Sequence, residues 1–200
     1  MFKPEKCSVP ECNKTAISFR DTCFEHVDDK NRYLDELAAY MSNTSLIKDL
    51  NLTGIDFKNM DFSNNNFYVC DFRGSSFEDS DLSRISMRLC FLAFTRFSNC
   101  KLHEIDLKYT TWSGALMSDS QFSGSDLLHT NFNGIKTREC NFNDSDLYFS
   151  SFINAKMTDT TFRDCNLRKV NFCDSKRVNV DFKYSNYEEA LFRTPKESQF

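Results

Sequence analysis

From Leu52 to Phe192 one residue in every five belongs to a single register that is large and apolar almost throughout. It runs Leu52, Phe57, Phe62, Phe67, Phe72, Phe77, Leu82, Met87, Leu92, Phe97, Leu102, Leu107, Trp112, Met117, Phe122, Leu127, Phe132 and on through Phe142 to Phe192, broken only at Thr137 and Arg177. Two positions upstream stands a column of mostly small residues, among them Cys70, Ser75, Ser80, Ile85, Cys90, Thr95 and Cys100. A period of five matches neither the repeat of a helix nor that of a long strand. It matches a coil whose sides are each a β-like triplet followed by a corner, so that positions i−2 and i of every side point inward. All five glycines stand two residues after the central position, and Gly54, Gly74, Gly114 and Gly134 are separated by multiples of twenty. Glycine recurring at one corner suggests a tight bend of positive φ there, which makes a coil of four five-residue sides and a stack of about seven coils.

The segments CDFRG (70–74), SDLSR (80–84), CNFND (140–144) and SDLYF (145–149) follow the pattern A(D/N)LXX. On these the chain resembles the pentapeptide repeat family, over about 140 of its 200 residues and with no insertion breaking register. The resemblance implies an all-β fold, a right-handed quadrilateral parallel β-helix. It fixes no activity by itself.

The expected organisation is a zinc knuckle over 1–26, a capping helix and connector over 27–45, the β-helix over 46–194 and a tail over 195–200. Charge is balanced along the chain. Residues 1–45 carry 6 basic and 8 acidic side chains and residues 46–200 carry 19 and 21, for a net charge of −4. No face is consistently basic, so direct nucleic-acid binding is not expected. The opening MFKPEKCSVPEC has no apolar h-region, and no run is long and apolar enough to span a bilayer. Of nine cysteines, Cys70, Cys90, Cys100, Cys140 and Cys165 fall in the small inward column, where a thiol acts as a compact hydrophobe. A reducing, cytoplasmic location follows, with Cys70 and Cys90 unpaired and Cys173, at an outward position, the most reactive thiol.

Cys7, Cys12, Cys23 and His26 form two close pairs flanking a short loop, which is what a tetrahedral zinc requires. Four protein ligands leave no open position, so the zinc is expected to be structural, in a segment standing apart from the coils. From Val27 to about Met41 the spacing of Val27, Leu34, Leu37, Tyr40 and Met41 predicts an amphipathic helix. The first coil of a solenoid exposes its core and an unpaired edge, and this helix is placed to cover them. A partner-binding helix is the alternative.

Columns twenty residues apart share an outward position. On the side centred at Phe67 such a column reads Val69, Leu89, Tyr109, His129, Phe149 and Lys169, beside Tyr68, Arg88, Lys108, Leu128, Tyr148 and Arg168, with Phe91 around the corner. Tyr68, Leu89, Phe91, Tyr109, His129, Tyr148 and Phe149 are therefore candidate partner-binding residues, since aromatics mixed with basic groups suit an interface. The next side, centred at Phe57 and Phe77, reads as a solvated face on which Lys136 pairs with Glu139 and Lys156 with Asp159. Thr137 and Arg177 fall on that side with Met117 and Met157, so its core should be the least regular, with Arg177 turned outward and the chain distorted around 176–178. The last coil ends in Tyr187, Leu191 and Phe192 with a short polar tail behind, and a two-fold dimer through these residues is expected unless the tail folds back through Phe200.

No catalytic constellation is visible. His26, His103 and His129 do not converge, and no phosphate loop or nucleophile elbow occurs. The expectation is a non-enzymatic, cytoplasmic scaffold for an unidentified protein partner. The resemblance supplies the alternative, a DNA mimic that binds DNA gyrase as some family members do, against which stands the near-even charge of the coils.

Overall fold

The computed structural model describes residues 5–193. The tail over 195–200, with Phe200, lies outside them. From Ile47 onward the chain climbs as a four-sided parallel solenoid, each residue in register with the one twenty positions on. Ten short strands form where a side is extended: β1 (Ile47–Lys48), β2 (Asp56–Lys58), β3 (Asn66–Tyr68), β4 (Ser76–Glu78), β5 (Ser86–Arg88), β6 (Arg96–Ser98), β7 (Leu116–Ser118), β8 (Lys136–Arg138), β9 (Lys156–Thr158) and β10 (Lys176–Val178). The Phe57 side is a continuous seven-stranded sheet in the order β10-β9-β8-β7-β6-β4-β2, and β1, β3 and β5 make a three-stranded sheet on the Phe67 side. Those two sides are two corners apart and so lie opposite each other, where the sequence reading made them neighbours.

The other sides are tight turns, linked to adjacent coils by single parallel bridges such as Asp81 with Lys101. Their chemistry explains the D/N of the motif. A carboxylate or amide at i−1 accepts the N–H two residues on, as Asp71 does from Arg73 (3.0 Å), Asn141 from Asn143 (2.8 Å) and Asp146 from Tyr148 (3.0 Å). The Phe67 side changes from strand to turn where Asp106, Asp126, Asp146 and Asn166 take that position.

The corners correct the glycine argument. Every fifth residue from Asp49 to Tyr184 has positive φ, including Val69, Leu89, Tyr109 and Phe149, so no single corner is special. The twenty-residue coil stands, but on the strand register. Trp112 and the phenylalanines from Phe57 to Phe172 on the central column are fully buried, and the column stacks ring on ring, Phe77 on Phe97 at 4.7 Å and Phe122 on Phe142 at 4.7 Å. Such pairs contribute about 0.5–1.5 kcal/mol each beyond the area they bury.

The small inward column does more than fill space. Ser75 Oγ accepts the Ile55 N–H (3.1 Å) and donates to the Leu52 carbonyl (2.7 Å), and Ser145 joins Ser125 N–H to the Phe122 carbonyl in the same way. Buried corner amides with no ladder partner are thereby satisfied. Thiols serve too. Cys90 Sγ accepts the Cys70 N–H at 3.4 Å, and Cys165 Sγ donates to the Phe142 carbonyl at 3.0 Å. All nine cysteines are free, and burial pushes the Cys140 thiol up to about 11 and that of Cys165 to about 12.

Several local expectations change. Cys173 is buried rather than exposed, its short side chain sunk in a column whose neighbouring rungs carry the longer Ile153 and Arg193. Thr137 stays in the core because its hydroxyl meets that of Thr160 at 2.8 Å, and the sheet register through β8 is unbroken. Arg177 is exposed without being turned outward: β10 is undistorted, and the guanidinium lies across the end of the core, 4.8 Å from the Phe192 ring centroid and bonded to Ser175 Oγ. Neither Lys136 nor Lys156 has an ion pair among the described residues; Arg138 takes Glu139 and Asp119, and Asp159 accepts from Asn179 instead. Tyr187 leaves the core for a 3-10 turn, Tyr187–Glu189, that shifts the local pairing so that Lys169 N–H bonds Glu189 rather than the residue before it.

At the front, α1 (Lys30–Ser42) starts three residues later than the periodicity suggests, because the Asp29 carboxylate caps it by accepting the Arg32 N–H at 2.9 Å. Tyr33, Leu37 and Met41 are its buried face, with Leu34 and Tyr40 partly buried, and they join Ile47, Leu50 and Leu52 in one core. Val27 packs there from outside the helix.

Ser150 Oγ is buried with no hydrogen-bond partner among the described residues, whereas Ser145 bridges two coils. Ser150→Ala should therefore leave stability unchanged or raise it by up to about 1 kcal/mol, while Ser145→Ala should cost about 1–3 kcal/mol. Urea denaturation of the two variants checks the contrast, and equal losses would mean that the hydroxyl column only fills space.

Candidate metal centre and aromatic face

Residues 5–27 make no core of their own. The segment folds back through an antiparallel bridge of Lys6 with Thr15, Cys7 N–H bonds the Lys14 carbonyl at 3.0 Å, and Ser8 N–H bonds the Asp21 carbonyl at 2.8 Å. A one-turn 3-10 helix, Phe24–His26, then swings the histidine back toward the cysteines. The result brings together Cys7, Cys12, Cys23 and His26, whose ligand atoms all lie within 4.8 Å of one another. Cys7 Sγ is 3.4 Å and Cys23 Sγ 3.5 Å from His26 Nδ1, and Cys12 Sγ is 3.9 Å from Cys23 Sγ. A tetrahedron with metal–sulfur bonds of about 2.3 Å and a metal–nitrogen bond of about 2.0 Å has S···S edges of about 3.8 Å and S···N edges of about 3.5 Å. The donor set and its spacing fit a tetrahedral metal. Desolvation raises the Cys7 thiol, but hydrogen bonds from the Cys23 backbone and from His26 outweigh it and hold it at about 6, while burial pushes the Cys23 thiol up.

The cluster does not stand apart from the coils. Asn51, buried on the first coil, donates its side-chain amide to the Ala16 carbonyl at 2.6 Å and its N–H to Ser18 Oγ at 2.8 Å, and its carbonyl accepts the Ser18 N–H at 2.8 Å. Tyr33 O–H reaches the Ser18 carbonyl, Arg20 lies over the Tyr33 ring and pairs with Glu36, and Phe19 packs on Tyr40. Sequence periodicity misses Asn51, since nothing in its type separates a docking asparagine from a turn asparagine.

On the Phe67 side the outward column forms a ladder. Tyr109 stacks on His129 at 5.2 Å and 14°, and His129 on Phe149 at 5.2 Å and 12°. Tyr148 stands edge-on to Phe149 at 4.8 Å, Lys169 Nζ closes the ladder 4.6 Å from the Phe149 centroid, and Arg168 lies against Tyr148. Tyr109 and Phe149 remain 59% and 45% exposed. Tyr68 and Leu89 are exposed on earlier coils outside the stack, and Phe91 is half-buried on the adjoining side, so four of the seven candidate residues come together. The cations at the end of the ladder were legible only as column members; their contact with the rings was not. Phe94, missed altogether, is 70% exposed and lies over Gly114, where an added Cβ would meet its ring at 2.8 Å. Among the described residues no helix is long and apolar enough to cross a membrane.

Comparison with known proteins bears on the coils. Family models of pentapeptide repeats match residues 39–79, 66–103 and 115–192, the first two as eight-copy repeats and the third as a pentapeptide repeat region. The unmatched stretch at 104–114 keeps the same register, with bridges at Asp106 and Thr111. Similar solved structures include a trypsin-treated form of QnrB1, a plasmid-mediated fluoroquinolone resistance protein, at 14% identity over 72% of this chain and 85% of that one (TM-score 0.46). HetL, a pentapeptide repeat protein involved in heterocyst differentiation regulation in the cyanobacterium Nostoc, is similar at 13% identity over 78% and 95% (TM-score 0.33). Rfr23 from the cyanobacterium Cyanothece is similar at 11% over 80% and 99% (TM-score 0.31). No curated protein matches the chain. With repeat models covering most of the coils and the twenty-residue register running unbroken through them, the chain belongs to the pentapeptide repeat family.

Proposed function

We propose that this chain is a non-enzymatic cytoplasmic scaffold that presents the Tyr109–His129–Phe149 ladder to a protein partner, with a structural zinc on Cys7, Cys12, Cys23 and His26 fastening its front cap. The ladder is the observation that carries this reading. Stacked rings on a rigid coil are fixed before any partner arrives, so binding loses little side-chain entropy. Exposed aromatics rimmed by Arg168 and Lys169 have the composition of an interface. The rings spend their faces on each other and offer edges outward, which suits side-chain packing and not the base stacking that single-stranded nucleic acid uses. A gyrase-directed DNA mimic would need an uncompensated negative flank. Here Asp106, Asp119, Asp126 and Asp181 are all tied to Arg88, Arg138, Lys108 and Arg163.

A cross-linked complex formed in lysate by the intact protein should be lost from Tyr109→Glu with Phe149→Glu, both exposed positions whose substitution leaves the core untouched. A complex that survives the double variant removes the ladder from the interface, and inhibition of gyrase supercoiling by the purified protein would replace the reading with the mimic.

The protein should contain about one zinc per chain, absent from Cys23→Ser. Because Asn51 ties the cluster to the first coil, chelation should speed amide exchange at Ser18 and Asn51 together while Phe122 and later coils keep their protection. Metal analysis and hydrogen exchange read both; zinc retained by Cys23→Ser would refute the ligand set.

A second copy joined through Tyr187, Leu191 and Phe192 also belongs to this reading, since Tyr187 and Leu191 are 54% and 50% exposed at the last coil. Small-angle scattering should show about double the long dimension of one rod. A dimer unchanged in Leu191→Asp with Phe192→Asp would exclude that joint.

A further inference from the structure

The Phe57 side, separated from the aromatic ladder by the Phe72 side, carries lysines in direct register: Lys136 pairs with Lys156 across β8 and β9, and Lys156 with Lys176 across β9 and β10. Two rungs earlier, with Leu116 between, stands Arg96. All four cations are exposed, and none has an ion pair among the described residues, although Arg138 on the same sheet and Arg88, Lys108 and Arg163 on other sides do. Like charges directly opposite on neighbouring strands destabilise a sheet. Three in succession, none of them in an ion pair among the described residues, are a cost that folding alone does not explain.

From this geometry we infer that the lysine file is a docking strip for an acidic α-helix of a partner protein, laid parallel to the rod axis. Spacing selects the helix. Rungs of the sheet are about 4.8 Å apart, and a helix brings one carboxylate per turn to the same face about every 5.4 Å. Over the two intervals from Lys136 to Lys176 the mismatch is about 1 Å, within the reach of lysine side chains; an extended chain, with same-face residues about 6.7 Å apart, falls out of step by nearly a rung. Width agrees as well. The side is three strand residues across, about 10 Å, against a helix diameter of about 10–12 Å. Exposed Leu116 and Val178 lie on the same sheet; the corner before it carries Gly114, Gly134, Asn154 and Asp174, so it is bare beside Leu116 and Lys136 and bears one short side chain beside each of Lys156 and Lys176. The corner after the sheet is acidic, with Asp119, Glu139 and Asp159. A nucleic-acid duplex, broader than the side, would press its phosphates onto those acids.

The test uses the full-length protein and two fluorescent, alanine-based helical peptides of about 18 residues and identical composition, one with a glutamate on the same face at every turn and one with the glutamates scattered around the helix. Fluorescence anisotropy should show the striped peptide binding at least about ten-fold more tightly than the scattered one, with affinity falling as salt is raised. Lys156→Gln should weaken it about three-fold, and Lys136→Gln, Lys156→Gln and Lys176→Gln together should remove the preference. The triple variant should melt no lower than the parent, since it loses only like-charge repulsion. Equal affinity for the two peptides, unchanged binding by the triple variant, or tighter binding of a DNA duplex than of the striped peptide overturns the inference. Should the triple variant fail to fold, unchanged binding by Lys156→Gln overturns it alone.

Discussion

Each coil of this solenoid is held by backbone hydrogen bonds to the coils before and after it, and that pairing decides where every side chain stands. Leu82 N–H bonds the Lys101 carbonyl at 2.8 Å and Lys101 N–H returns to the Ser80 carbonyl at 3.2 Å, and the same exchange recurs up the rod. Once the coil is twenty residues long, every side chain has a neighbour twenty positions away, a single rung off. Slipping the register by one residue would take the phenylalanine column out of the core and put mostly polar positions in its place. Because paired segments are never far apart in sequence, a formed coil is a template for the next.

Columns of like on like follow, and their energetics depend on what is stacked. Phenylalanines gain, as Phe142 does between Phe122 and Phe162. Amide on carboxylate gains, as where Asn99 donates to Asp79 at 2.7 Å. Hydroxyls such as those of Ser75 and Ser145 gain twice, because the N–H they accept from and the C=O they donate to have no backbone partner among the described residues. Lysine on lysine loses. A column therefore reads as a choice among these outcomes, and an uncompensated loss running through three rungs points outside the chain for its explanation.

How much of this was legible depends on whether a residue's role is set by its own column or by a neighbour. The apolar period, the coil length and the Cys/His cluster follow from type and spacing alone, and all are present. Glycine gave the right coil for the wrong reason, since the αL corner is imposed by the path of the coil and is accepted by valine, leucine and tyrosine alike. The bridging role of Ser75 or Cys90 was hidden because it arises from leftover amides that no side-chain pattern records. Charge pairs were assigned along a rung, yet most of the ion pairs on the coils cross to the next rung, as Arg138 does to Asp119 and Arg163 to Asp181. Cys173 and Tyr187 were misplaced because the column rule assumes like neighbours in unshifted register, whereas Cys173 stands beside the longer Ile153 and Arg193 and the turn Tyr187–Glu189 shifts the pairing.

The first and last described coils differ in what lies against them. At the back, Arg177 lies over Phe192, one cation–π contact and two hydrogen bonds covering the last described rungs. At the front a whole module is spent, and its parts are interdependent. The segment before Val27 has little apolar surface to fold around, α1 alone is too short to be helical in water, and the first coil has no preceding coil to pair with. Asn51 stands where all three meet: it occupies a coil position, bonds the segment that carries Cys7 to His26, and shares Ser18 with the Tyr33 hydroxyl of the helix. A metal drawing four ligands together would order the segment, the segment would hold Asn51 and Tyr33, and the first coil would then offer a finished edge to the second. The segment and the first coil each have hydrogen bonds of their own, Cys7 to Lys14 in the one and Leu52 to Asp71 in the other, and Asn51 and Ser18 are where the two are joined.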